Sequence, residues 1–95
     1  MALPEIDVKK LKKNAARLRA IADPARLKII SLLNDNKELC VKEITEKMEM
    51  YQGAVSFHLK RLKEHGILIS RSEGKWIYYS LNYVNIQKIL ALIDK

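Results

Sequence analysis

The spacing of apolar residues changes character at Gly66. Before it, apolar side chains recur at threes and fours, the period of a helix, as in Val8, Leu11, Ala15, Leu18 and Ala22. After it, Ile67–Ser72 and Trp76–Leu81 read as two short strands around Glu73-Gly74-Lys75, a tight hairpin turn with glycine where positive φ is expected. Helical spacing then resumes at Ile86, Ile89, Leu90 and Ile93. In 95 residues this allows one small, mainly α domain with a single β-hairpin, spanning 1–95.

The helical part divides by its punctuation. A first helix is expected over about Ile6–Ala20, with Lys9, Lys10, Lys12, Lys13, Arg17 and Arg19 around a narrow apolar stripe. Asp23-Pro24 is a start signal, because Asp caps the next turn and Pro is tolerated where the N–H has no partner. Leu27, Ile30 and Leu33, with Ile29, follow, and Asn34-Asp-Asn36 ends the second helix. A third helix is predicted over Val41–Met48. A fourth is predicted over Gln52–His65, with Val55, Leu59 and Leu62 inward and Gly66 as its stop. The last runs over 83–94.

Charge and cysteine content narrow the function. Eighteen Lys and Arg face 11 Asp and Glu, a formal +7, and the pI is near 9.6, the electrostatic footprint of a polyanion binder. One cysteine, Cys40, allows neither an internal disulfide nor a four-cysteine zinc cage. No nucleophile–base set or Gly-rich phosphate loop is present, so no enzyme is expected. The N-terminus is too short and too charged for a signal peptide, and no apolar run approaches the roughly 20 residues that span a bilayer. The expectation is a cytoplasmic protein with no membrane partner.

Helices joined by a short glycine-containing turn over 41–65, then a hairpin over 67–81, describe a winged helix–turn–helix. With the basic charge, this points to double-stranded DNA. A less specific architectural DNA-binding protein and a protein-interaction module on the same fold are the alternatives.

Four segments strengthen the first reading. Ile21-Ala-Asp-Pro-Ala-Arg-Leu-Lys-Ile-Ile30, Glu38-Leu-Cys-Val41, Val55-Ser-Phe-His-Leu-Lys60 and Glu73-Gly-Lys-Trp-Ile-Tyr-Tyr79 resemble the ArsR/SmtB family of repressors in order and spacing. The resemblance implies a homodimeric winged helix, paired through its first and last helices, that represses transcription from an operator. The interface residues would be Val8, Leu11, Ala15, Leu18, Ile86, Ile89, Leu90 and Ile93. It also assigns the fourth helix to the major groove.

With Val55, Leu59 and Leu62 inward, Gly53, Phe57, Lys60, Arg61 and Glu64 lie opposite, with Ser56 flanking. Gln52 is suited to pair with adenine, and Ser56, Lys60 and Arg61 can reach bases or phosphates. Phe57 either packs on a thymine methyl or leans into the turn. His58 lies at the border of the core face, as a packing histidine or a DNA contact, and the resemblance favours contact. Arg71 and Lys75 on the hairpin suit phosphates or the minor groove, or are an ordinary charged turn. Tyr51 stands where relatives commonly carry a serine cap, and its side chain cannot cap the helix.

Many relatives sense metals, and Cys40 stands where such relatives place a thiolate. The remaining ligands are incomplete. Lys42 occupies the second cysteine position, residues 1–7 hold no Cys or His, and the last helix offers only Asp94. Glu43 is the one further candidate nearby. Cys40 is a weak metal candidate beside its reading as a packing residue, and no cofactor is expected.

Overall fold

The computed structural model describes residues 7–93. In chain order these form α1 Val8–Ile21, α2 Pro24–Asp35, β1 Leu39–Cys40, α3 Val41–Met48, α4 Gln52–Glu64, β2 Leu68–Glu73, β3 Trp76–Leu81 and α5 Tyr83–Ile93. Ile6 and Asp94, at the ends of the expected first and last helices, lie outside the described residues. So does the side chain of Ile93.

The helix starts follow from their caps. Asp7 accepts the Lys10 N–H at 3.1 Å, capping α1 at Val8. Asp23 accepts the Arg26 N–H at 3.1 Å, with Pro24 in the first helical position. At α3 the Glu43 carboxylate reaches back to the Cys40 N–H at 3.0 Å, which satisfies an orphan donor. Tyr51 precedes α4 and makes no side-chain cap hydrogen bond.

The turn between α3 and α4 corrects an expectation. No glycine makes it. Glu49 takes the left-handed conformation instead, at φ 55°, while Gly53 sits inside the first turn of α4. Gly66 does end α4 as expected. At φ 73° it donates its N–H to the Lys63 carbonyl at 2.9 Å, and Ile67 N–H reaches Leu62 O at 2.9 Å. Its own carbonyl accepts from Asn85 Nδ2 at 2.8 Å, and an added Cβ would meet that nitrogen at 2.8 Å. Gly66 therefore fixes both the end of α4 and the seating of α5.

The hairpin carries one strand beyond the expected pair. β3 pairs antiparallel with β2, from Leu68↔Leu81 to Glu73↔Trp76, and also with β1, as Leu39↔Tyr79 and Cys40↔Tyr78. The sheet order is β1-β3-β2. Ile29, Leu33, Ile44, Val55, Leu59, Leu62, Ile67 and Leu68 are fully buried between the helices and this sheet. Each contributes roughly 1.5–3 kcal/mol by leaving water.

The two expected interface stripes fare differently. On α1, Val8, Leu11 and Leu18 are exposed and Ala15 is half-buried, while Asn14, Arg17 and Ala20 face inward. On α5, Ile89 is 4% exposed and belongs to the core, with Ile86 packed against it. Ile89 was expected at the interface. Its side chain is already covered by its own chain, because the helical stripe on α5 is wide enough for two faces. Among the described side chains, Leu90, Val84 and Tyr83 are the exposed large apolar residues of α5.

Candidate nucleic-acid interface

α4 presents the outward face that its periodicity implies. Gln52, Gly53, Ser56, Phe57, Lys60 and Arg61 are exposed, while Val55, Leu59 and Leu62 anchor the other side. Phe57 is 54% exposed, so its ring does not lean into the core. It meets the His58 ring edge-on, at 5.7 Å between centroids. Lys60 has no carboxylate partner among the described residues, and Arg61 has only a long contact of 3.9 Å to Glu64. The first turn of α4 is thus an uncapped helix start carrying the Gln52 amide and the bare backbone of Gly53, with the Ser56 hydroxyl one turn on. Amide and hydroxyl groups can hydrogen-bond base edges, and an unobstructed backbone can approach a phosphate closely.

Two expected contacts have other work inside the protein. His58 is half-buried, and its Nδ1 accepts from Arg26 Nε at 3.1 Å. Arg26 also donates to the Ala20 carbonyl at 3.2 Å, so one guanidinium ties α4 and the end of α1 to the start of α2. The packing alternative for His58 is the one with a partner here. Arg71 likewise commits its charge internally. Its Nε donates to Glu38 Oε2 at 2.8 Å and its Nη2 to Glu38 Oε1, a two-pronged pair. Glu73 lies 3.4 Å from it, and its guanidinium stacks 4.6 Å from the Tyr78 ring centre. These hydrogen bonds hold the Glu38 carboxyl below its ordinary value and raise that of Arg71. Sequence reasoning missed Glu38 and Arg26, since each acts across more than 30 residues and no local spacing marks them.

Lys75 remains at the wing tip, beside Gly74 at φ 60°. Its Nζ sits 5.3 Å from the Trp76 ring centre, a loose contact that leaves the ammonium at the surface. Tyr51 was considered only as a failed cap. It is 90% exposed immediately ahead of the first turn of α4.

The residues around Cys40 do not fit a metal. The thiol is buried where β1 meets α3, and the Glu43 carboxylate is occupied by the Cys40 N–H, which holds it below the ordinary glutamate range. Among the described residues, no three His, Cys, Asp or Glu side chains come together.

Comparison with known proteins decides the family. A sequence profile described as "Bacterial regulatory protein, arsR family" matches residues 23–70, the span from the α2 cap to β2. The chain belongs to the ArsR family. It is accordingly a transcriptional regulator that binds DNA through its winged helix, not an enzyme. The chain is 31% identical over 94 residues to HlyU of Vibrio cholerae, a transcriptional activator, covering 95% of this chain and 86% of HlyU. The solved structure of HlyU superposes with a TM-score of 0.75. The repressor PagR of Bacillus anthracis superposes with a TM-score of 0.78 at 32% identity, covering 93% of this chain and all of that structure. A winged helix–turn–helix domain of Mycobacterium bovis, described as homodimeric, gives 0.77 at 29% identity, covering 97% and 86%. This ArsR-family chain shares with them a mainly helical fold with a small antiparallel sheet. No helix of its described residues is long and apolar enough to cross a membrane.

Proposed function

We propose that this chain acts in the cytoplasm as a homodimeric repressor of an inverted-repeat operator in double-stranded DNA. The observation that carries the reading is the α4 face. Gln52, Gly53, Ser56, Phe57, Lys60 and Arg61 stand exposed on one helix whose opposite side is locked into the core. Gln52 and Ser56 supply base readout, Lys60 and Arg61 supply phosphate attraction, and Lys75 on the wing adds a cation beside the groove. Arg71 and His58 act through position, holding the wing and α4.

Dimerisation rests on surplus apolar surface. A 95-residue chain buries only about 60–65% of its unfolded surface, and Val8, Leu11, Leu18, Val84 and Leu90 remain exposed. Pairing α1 and α5 with a two-fold mate covers them and sets two α4 helices about 34–36 Å apart, one DNA turn. Repression follows if the dimer occupies the promoter and excludes polymerase.

The test is a gel-shift and reporter assay on the chain's own upstream region, with random competitor DNA. The expected result is one retarded dimer complex that resists competitor, and a reporter that falls when the protein is made. Equal binding to random DNA would favour the architectural alternative. A reporter that rises would make this chain an activator.

A further inference from the structure

Among the described residues, Arg17 is a buried charge with an unpartnered donor. It lies on the inward face of α1 and is only 8% exposed. Its Nη1 reaches Asn14 Oδ1 at a long 3.3 Å, and its Nε is buried with no hydrogen-bond partner. Among the described residues it forms no ion pair. A buried guanidinium without an anion is costly, and such groups are ordinarily paired.

The guanidinium borders a cleft of about 330 Å³ between α1, the end of α4 and the start of α5. Lys13, Lys63 and His65 line the same cleft, and Asn85 closes one side. The only carboxylate there among the described residues is Glu64, which lies 3.9 Å from Arg61. A second hollow of about 210 Å³ adjoins it, sharing Ala16 and His65 and lined by Arg19, Arg26 and Arg61. Positive charge therefore converges on a recess from two helices, with one buried donor left over.

We propose that this cleft binds a phosphate-bearing small molecule, with the phosphate held by Arg17, Lys13 and Lys63. A tetrahedral, multiply charged oxyanion matches cations arriving from separate directions, and a guanidinium suits phosphate oxygens. The dimer mate is not the missing anion. At 100° per residue, Lys13, Ala16 and Arg17 lie on the opposite side of α1 from Leu11, Ala15 and Leu18. The cleft also lies at the end of α4 opposite Gln52, since the 13 residues of α4 span about 20 Å, and a DNA phosphate is separated from a free one by the duplex control below. A ligand here touches both a pairing helix and the recognition helix. Its influence on operator affinity rests on the function proposed above, whereas its binding does not.

The experiment is a titration of the full chain with inorganic phosphate at constant ionic strength, read by melting temperature and by the NMR signals of Arg17 Nε, Gly66 and Asn85. Phosphate at about ten times its Kd should raise Tm by roughly 4–8 °C and shift those three signals saturably. Phosphate also stabilises proteins generally by exclusion from their surface, so the variants decide. Arg17→Met should fold at least as stably without phosphate, since it removes an unpaired buried charge, and should lose the saturable shifts. Lys63→Gln, a surface change, should weaken binding about threefold or more. Equal responses in wild type and Lys63→Gln, or in wild type and a folded Arg17→Met, would overturn the proposal. So would a random-sequence DNA duplex moving the three signals where free phosphate does not. Operator binding is measured without phosphate, so failure of one reading leaves the other testable.

Discussion

Arg71 on β2 and Glu38 ahead of β1 form a two-pronged pair across 33 residues of sequence, with a 2.8 Å contact from Arg71 Nε to Glu38 Oε2. The pair fastens the wing to the entrance of α3. Its charge is neutralised within the protein, which sets two opposed expectations for DNA. If Arg71 served mainly as a phosphate contact, Glu38→Gln would free it and tighten binding. As a wing anchor, Glu38→Gln should weaken operator binding in the same direction as Arg71→Gln. Gel shifts of the two variants at one salt concentration read the sign.

The same pair fixes a pH dependence. The Arg71 hydrogen bonds depress the folded-state value of Glu38, so the carboxylate stabilises the fold above its unfolded value of about 4.3. That contribution is lost as pH falls from there through the depressed value. Glu38→Gln should therefore melt slightly below wild type at pH 7. The gap should close as acid melts are taken below about pH 4. A gap that widens in acid would contradict the assignment.

Gly53 offers a separation of stability from function. It lies in the first turn of α4, and an added Cβ would meet nothing within 4 Å. Gly53→Ala should stabilise the chain by about 0.5–1 kcal/mol through helix propensity. If α4 meets DNA as proposed, the methyl intrudes where backbone and groove approach. Operator affinity should then fall while Tm rises. An unchanged affinity would remove Gly53 from the contact surface.

Readout and attraction should also separate. Lys60, Arg61 and Lys75 from two protomers neutralise about six phosphates, giving a slope of log affinity against log salt near −5. Lys75→Gln should make that slope shallower by about one per protomer and leave sequence preference intact. Gln52→Ala should keep the slope and relax preference at one base pair, costing roughly 1–3 kcal/mol. Indistinguishable behaviour of the two variants on operator and random DNA would reverse these roles.

The pairing surface is tested by contrasting Leu90 with Ile89. Leu90 is 55% exposed and Ile89 is 4% exposed. Leu90→Asp should yield a folded monomer with reduced operator affinity. Ile89→Asp buries a carboxylate in the core and should unfold the chain instead, at a cost of several kcal/mol. Sedimentation and circular dichroism distinguish the two. A Leu90→Asp protein that stays dimeric would move the seam elsewhere.

Local chemistry made much of this legible in sequence. Asp23-Pro24 marked the start of α2, Gly66 marked the end of α4, and the Glu73-Gly74-Lys75 turn placed the start of β3 at Trp76. The outward face of α4 followed from three inward residues. Features set by distant partners were not legible. β1 is two residues long and exists because Leu39 and Cys40 meet Tyr79 and Tyr78. Glu49 carries the turn at φ 55°, where a glycine was the natural expectation. Ile89 and Leu90 are adjacent and both apolar, and only packing tells which one the core takes.

The β1–β3 pairing has a mechanical consequence. Cys40 stands opposite Tyr78 and is also the N-cap of α3, so the short strand β1 that pairs with the wing's inner strand β3 runs directly into the helix before the turn. Bending the wing alone would mean breaking sheet hydrogen bonds and stripping the cap from α3 together. Wing and helices should therefore travel as one stiff reading head. Regulation of such a protein would then act on the angle between two heads in a dimer, leaving the shape of each unchanged.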